Sequence, residues 1–312
     1  MTRTTDSDLA PRELRVLVAV ADTGGFSAAA GTLGLTQSAV SHSVRGSERK
    51  IGAVLFERGR SGARPTPAGE AAVAHARRVL RLLDVLVVEA RGASRSDGRE
   101  GPLRIAAFRS AALHLLPPVL ERLRARCPGV EPRVRIVREV GRGTAGEVSD
   151  GRADLAIATL GGSAPLAPGL VARGLFEEPY ALAHPVGHVA PRSLPLVDWA
   201  ENCGSSTRAW WAAQDWIPEA TVEAEDDGAV LSLVGAGHGM AIMPALSLAG
   251  APASVGVTAL GPRRPTRQVG YVTTPELAGS AAVRALVREL RALGRTVDVP
   301  GTDGGGPAGD PH

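Results

Sequence analysis

Apolar positions in the first third of the chain recur at helical spacing. Leu14, Leu17, Val18 and Ala21 stand at i, i+3, i+4 and i+7, one inward stripe of a helix from about Pro11 to Ala21. Proline suits the first turn, and Asp22-Thr-Gly-Gly25 ends it. Phe26–Leu33 reads as a second helix with Ser27 as its cap, and Ala28 to Ala30 are small enough for close helix approach. Gly34 allows a tight turn. Thr36 then caps a third helix whose Val40 and Val44, four apart, face inward. Leu55-Phe-Glu-Arg58 and Ala63-Arg-Pro-Thr66 form two short extended pieces around Gly59-Arg-Ser-Gly62, the pattern of a β-wing. Thr66-Pro67 opens a long helix to about Arg91. There Val73, Leu80 and Val87 repeat every seven residues, with Ala76, Leu83 and Ala90 in the complementary position. The spacing predicts a coiled-coil seam of about three heptads, although a helix packed on its own domain would use the same residues.

Beyond the polar, glycine-rich stretch 92–101 the pattern becomes α/β. Strands are expected at Leu103–Ala107, Arg133–Val137, Asp154–Ala158 and Met240–Met243. Helices are expected at Ala111–Arg126, up to Gly235, and at Ala281–Leu293. Alternation of this kind implies a mostly parallel sheet covered on both faces. The expected organisation is a winged helix-turn-helix over 9–67, a dimerising linker helix over 68–91, a hinge over 92–101 and an α/β domain over 102–295. The Gly/Pro/Asp-rich stretch 296–312 is expected to be disordered.

The third helix carries the first candidate chemistry. Gln37, Ser38, Ser41, His42 and Arg45 occupy the faces that Val40 and Val44 leave free. Short hydroxyls, an amide, an imidazole and a guanidinium are the groups that read base edges and hold phosphates. A small-residue hairpin in a core would explain the alanines and valines but not an outward face without acids. Charge agrees: residues 1–91 hold 13 Lys+Arg against 9 Asp+Glu, the remainder 22 against 23. Arg58, Arg60 and Arg64 add positive charge around the wing. The composition is that of a globular chain, with no apolar run long enough to span a bilayer and no apolar signal core, which predicts a cytoplasmic protein. Cys127 and Cys203 lie far apart without metal spacing.

Taken in order, Gly25-Phe-Ser27, Ala29-Ala30, Leu33, Thr36-Gln-Ser-Ala-Val-Ser41, Leu55-Phe-Glu-Arg58 and Thr66-Pro-Ala-Gly-Glu70 resemble the LysR-type transcriptional regulators. So do Leu103-Arg-Ile105, Leu116-Pro117, Pro128-Gly-Val130, Asp154-Leu-Ala-Ile157 and Gly237-His-Gly-Met-Ala-Ile-Met-Pro244 in the second half. The resemblance implies a winged helix-turn-helix that binds promoter DNA, a dimerising linker helix, and two α/β subdomains hinged like a periplasmic binding protein. It also implies a homodimer or homotetramer, with RNA polymerase as a further candidate partner. No cofactor, metal, membrane or catalytic role is expected. The family's DNA-contacting positions match Gln37, Ser38, Ser41, His42, Arg45 and Arg58, with Thr36 opening the helix. Ser38 stands where proline is common, His42 where arginine, lysine or glutamine is frequent, and Gly46 where a larger apolar residue is usual. Glycine costs about 1 kcal/mol of helix propensity against alanine and puts the end of that helix in question.

The resemblance places an effector cleft between the subdomains. One lip is Phe108-Arg109-Ser110, the other Ser205-Ser206-Thr207, with Asp226 and Asp227 near a third edge. Hydroxyls and N–H groups at helix starts suit a small carboxylate, although each hydroxyl also suits a plain cap. Thr144 is a weaker candidate. Trp210, Trp211 and Trp216 would form either an apolar wall or part of a core. Gly235-Ala-Gly-His-Gly239 follows a helix and precedes a strand, the reverse of a phosphate cradle. No G-x-S-x-G elbow occurs, and Pro185 separates His184 from His188. The competing reading is a cytosolic solute-binding module whose N-terminal helices serve only dimerisation.

Overall fold

The computed structural model describes residues 8–59, 62–93, 101–161, 165–201 and 205–294. The chain divides into two bodies, Met1–Gly98 with Ser149–Ala153, and Arg99–Val148 with Asp154–His312.

The first body runs α1 (Pro11–Thr23), α2 (Phe26–Leu33), α3 (Gln37–Ile51), β1 (Phe56–Gly59), β2 (Gly62–Pro65) and α4 (Pro67–Ala93). Leu17, Val20, Ala29, Val40, Val44 and Leu55 close one core, as the helical spacing predicts. Glu13 anchors α1: its carboxylate accepts from Ala10 N at 2.8 Å and from the only lysine, Lys50 Nζ, at 2.8 Å. That hydrogen bond with Lys50 pulls the Glu13 carboxyl below its usual range and ties the last turn of α3 to α1. Glu48 accepts from Leu55 N at 2.9 Å and fixes the chain entering the wing. β1 and β2 pair antiparallel, Phe56 opposite Pro65 and Gly59 opposite Gly62. Gly62 sits at φ +111, and a β-carbon there would lie 2.2 Å from Gly24 O. The wing therefore rests on the α1–α2 turn, where Ala63 N donates to Gly24 O at 2.7 Å.

Three expectations change here. Ser27 does not cap α2; Gly25 precedes the helix and Ser27 lies inside it. Gly46 does not end α3, which continues to Ile51 and stops at Gly52. Val73 and Ala76 are buried, Val73 within the core of the first body, so the seam cannot begin there. The large apolar side chains that α4 leaves exposed are Val79, Leu82, Leu86 and Val87.

The second body runs β3 (Gly101–Ala107), a π-helical turn at Ala111–Leu115 continuing into α5 (Leu116–Arg126), β4 (Val130–Ile136), α6 (Gly143–Ser149) and β5 (Leu155–Leu160). Next come β6 (Val171–Pro185), β7 (Leu196–Trp199), α7 (Ser205–Ala212), β8 (Ala220–Ala224), α8 (Asp227–Gly235), β9 (Ala241–Pro244) and α9 (Ala245–Leu248). β10 (Val255–Ala259), β11 (Thr266–Thr273), α10 (Pro275–Ala278) and α11 (Ala281–Gly294) complete it. β4, β3, β5, β11 and the first half of β6 form lobe 1. The second half of β6 with β9 and β10, and the pair β7–β8 joined to them by a Leu196–Met240 bridge, form lobe 2. The chain crosses between lobes twice, into β6 and again into β11.

The sheet is covered on both faces, as expected. Along β6, Ala181 and Ala183 enter one core with Val197, Val230 and Met243, while Tyr180 and Leu182 enter another with Trp211, Met240 and Ile242. It is not mostly parallel. β3 pairs parallel with β4 and β5, but β11 and β6 pair antiparallel with each other and with β5, β9 and β10. The two crossing strands run opposite ways because the chain leaves lobe 1 on one and returns on the other. A buried ion pair holds lobe 1: Arg104 donates from N at 2.9 Å and from Nη2 at 2.7 Å to Asp154, which is fully buried. The hinge residues 94–100 and the stretch 295–312 lie outside the described residues.

Candidate DNA interface and interlobe cleft

Thr36 caps α3 as its hydroxyl predicts, accepting from Ala39 N at 3.2 Å, and lies 3.0 Å from Ser38 Oγ. Gln37, Ser38, His42 and Arg45 are exposed on α3, joined by Arg49. No exposed residue of this helix is acidic, since Glu48 is only partly exposed and its carboxylate holds the wing backbone. Ser41 departs from the expected outward face. It is 8% exposed, beside Val40 and Val44, so its place on the helix is at the edge of the core. Arg58 lies in β1 and Arg64 is exposed in β2, while the side chain of Arg58 and all of Arg60 lie outside the described residues.

In the second body the candidate residues gather at the carboxyl ends of parallel strands, where open α/β sheets form their crevices. Phe108-Arg109-Ser110 follows β3, Arg138 and Glu139 follow β4, Glu201 follows β7, and Asp226-Asp227 follows β8. Two ion pairs join the lobes across this crevice. Arg109 Nη1 lies 2.6 Å from Asp227 Oδ1, and Arg138 Nε 3.6 Å from Glu201 Oε1. Gly228 makes room for the first: a β-carbon there would lie 2.6 Å from Arg109 Nη2. Asp226 faces elsewhere, accepting from Ala229 N at 2.9 Å as the cap of α8. Burial raises the Glu201 carboxyl above its ordinary range. The charges of Asp227 and Glu139 add to this, and the Glu139 backbone N–H and Arg138 oppose it.

Three buried polar atoms without partners lie on the elements next to these ion pairs. Thr207 is 1% exposed and its Oγ1 makes no hydrogen bond. Thr159 Oγ1, on β5, is also unpartnered, although its N–H donates to Glu139 Oε1 at 2.8 Å. Arg267, at the start of β11, donates from Nε to Glu178 Oε2 at 2.6 Å and stacks 4.7 Å above the Phe108 ring, yet its buried Nη2 has no partner. Burial alone would lower the Arg267 pKa; the Glu178 carboxylate, with Tyr180 and Glu139, more than offsets this and holds the guanidinium charged. Ser110 is 3% exposed and its hydroxyl does not cap the following turn. The side chains of Ser205 and Ser206 lie outside the described residues.

Other candidates are settled by their contacts. Thr144 Oγ1 donates to Ile157 O at 2.8 Å, inside lobe 1. Trp211, with Trp210 and Trp216 packed against it, belongs to the lobe 2 core and is no wall of the crevice. His184 is buried between Pro185 O and Thr258 Oγ1, both at 2.9 Å, and no His, Cys, Asp or Glu group among the described residues is arranged to hold a metal. Gly237 lies at φ +86 in the turn that ends α8, not in a phosphate cradle. Cys127 is buried, and Cys203 lies outside the described residues.

Arg267, Glu178, Thr159, Arg138 and Glu201 were not marked by any sequence motif. Arg267 lies at the start of β11 and Glu178 in the middle of β6, and only the antiparallel register of the two strands sets one opposite the other.

Comparison with known proteins decides the family. Residues 11–70 match the bacterial regulatory helix-turn-helix protein, lysR family, and residues 96–295 match the LysR substrate binding domain. The chain belongs to the LysR family of transcriptional regulators. It is 36% identical over 255 residues to the "Probable HTH-type transcriptional regulator LrrA" of Synechococcus elongatus, covering 80% of this chain and 85% of that one. Among solved structures, a cysteine-to-aspartate variant of full-length OxyR from Pseudomonas aeruginosa shares the fold with a TM-score of 0.70 at 21% identity, over 91% of this chain and 95% of that one. ArgP from Mycobacterium tuberculosis gives 0.70 at 22% identity, over 92% and 98%. CbnR in complex with its target DNA gives 0.63 at 21%, over 91% and 99%. This LysR-type protein is thus a DNA-binding transcriptional regulator with an effector-binding domain. No helix among its described residues is long and apolar enough to cross a membrane.

Proposed function

We propose that the regulator reads a promoter sequence with α3 and switches on a small anionic effector held between its lobes. In this reading Gln37, Ser38 and His42, with Thr36 at the helix start, enter the major groove and meet base edges. Arg45 and Arg58 neutralise phosphates. Ser41 sets the packing of the helix rather than a base contact. The observation that carries this half is the exposed, acid-free face of α3. The exposed stripe Val79, Leu82, Leu86 and Val87 on α4 supports pairing of two copies, hence a dimer or a dimer of dimers acting in the cytoplasm. RNA polymerase is its expected partner at the promoter.

The effector half rests on the three unpartnered donors beside the ion pairs. An effector carboxylate would accept from Thr207, Thr159 and Arg267 Nη2, with Ser110 at its edge; Ser206 and Ser205, one and two positions before Thr207, are further candidate contacts. Arg109 would exchange its partner Asp227 for the ligand, loosening one of the two ion pairs that join the lobes. That exchange gives the ligand different affinities for two lobe arrangements, which any effector switch requires. Gel shifts on the DNA flanking the coding region, with and without a panel of small carboxylates, test both halves. The expected result is a specific complex whose mobility or footprint changes with one carboxylate. Binding without sequence preference would refute the first half, and indifference to every anion would refute the second.

A further inference from the structure

The outer side of lobe 1 has a second concavity unrelated to the crevice. α11 lies beside β11 and α10, and a cavity of about 560 Å³ opens along it, within the range typical of small-molecule sites. Its accessible apolar surface is Ala278, Val287 and Ala292, backed by the nearly buried Tyr271 and Val283. Its rim is Arg284, Arg288 and Arg291, spaced i, i+4 and i+7 along one face of the helix.

None of these three guanidiniums pairs with a carboxylate among the described residues. The helix's one acid, Glu289, is 2% exposed on another face and pairs with Arg126 of α5 at 2.9 Å. Helix electrostatics explain Arg291 in the last turn. They do not explain Arg284, which sits in the first turn at the positive end of the dipole, or the repulsion between Arg284 and Arg288. Arg291 Nη2 donates to Tyr271 Oη at 3.2 Å, and its guanidinium lies 6.0 Å from the ring centroid. The phenol keeps its own proton to donate.

We infer that this groove is a second ligand site, for a small amphipathic anion. A flat apolar body lies on Ala278, Val287 and Ala292, and its carboxylate bridges Arg284 and Arg288. Charge complementarity selects the anion, and the apolar surface selects a body with little hydration over inorganic phosphate. The inference does not depend on the crevice reading.

Calorimetry on the full-length protein tests it with 2-naphthoate as probe and 2-naphthamide as its uncharged match. The expected result is saturable 2-naphthoate binding that falls at least tenfold in the double variant R284Q/R288Q and is unchanged in T207V. Because both arginines are exposed, the double variant should keep its far-ultraviolet circular dichroism. The absence of saturable heat at millimolar 2-naphthoate would overturn the proposal. Equal binding of 2-naphthamide would overturn the anionic requirement. Loss of binding in T207V with retention in R284Q/R288Q would place the probe in the crevice, overturning the groove while leaving the crevice reading intact. Binding of an oligoglutamate peptide in place of 2-naphthoate would overturn the small-ligand class in favour of an acidic protein segment.

Discussion

Thr207→Val replaces a buried hydroxyl with a methyl group of nearly the same shape. Thr207 is 1% exposed and its Oγ1 has no partner. A buried, unmet polar group costs about 1–3 kcal/mol, whereas an apolar group of the same shape carries no such penalty. Both side chains are β-branched, so the helix propensity of α7 is little changed. We expect the variant to be more stable by about 1 kcal/mol, the low end being chosen because the surroundings relax. For a domain of about 200 residues that raises Tm by about 2–4 °C. All four tryptophans, Trp199, Trp210, Trp211 and Trp216, lie in lobe 2 with Thr207, so tryptophan fluorescence in a urea titration follows the relevant unfolding. The same variant should weaken binding of the anionic effector about tenfold, the loss of one hydrogen bond to a charged group. Gain of stability with loss of ligand is the signature of a hydroxyl held for a ligand. A variant destabilised by about 1 kcal/mol or more would mean that Thr207 serves the fold, and the proposed effector site would lose its anchor.

Glu201→Gln should stabilise the protein at neutral pH. Burial raises the Glu201 carboxyl, so the folded state prefers its proton and ionisation destabilises the fold. The gain in Tm should therefore be full above the raised pKa and vanish as pH falls below the ordinary value of 4.5; a gain independent of pH would refute the cause given. Leu86→Glu places a charge on a side chain that is 62% exposed, so monomer folding should be unaffected. Sedimentation should show loss of the dimer, and an unchanged dimer would move the interface off α4. Gly69→Ala would set a β-carbon 1.9 Å from Leu55 O, at the junction of wing and linker helix. A loss of more than about 2 kcal/mol in denaturant titrations is expected, and a neutral result would contradict that junction.

The first body is legible in the sequence because its information is local. Caps at Thr36 and Thr66, the Val40–Val44 pair and the wing glycines each act within a few residues, and the observed elements begin or end within two or three residues of the expected ones. Errors arise where a long-range contact decides. Val73 fits a heptad but is drawn into the core of its own body, where α4 packs on α1. Ser41 looks outward on residue type yet sits beside buried Val40 and Val44. In the second body β3, β5 and β9 are legible as apolar runs. β6 and β11 are not, because each begins with polar or partly buried residues before its buried run, and their pairing spans about 90 residues of chain, from Arg267 to Glu178. Of the residues in the proposed crevice, Arg109, Ser110 and Thr207 stand in sequence motifs. Arg267 and Thr159 do not, because they come from strands whose facing residues only the register reveals.

The central claim, that α3 reads bases, is tested most directly by binding curves of wild type and Gln37→Ala on a cognate and a scrambled duplex at three salt concentrations. Gln37 is exposed in the first turn of α3, so its loss should cost about 1–3 kcal/mol on the cognate duplex and little on the scrambled one, with an unchanged salt slope. Arg45→Ala, the phosphate control, should weaken both duplexes alike and lower the slope of log K by about one. If Gln37→Ala lost the same factor on both duplexes, α3 would not be the base reader and the account would fail.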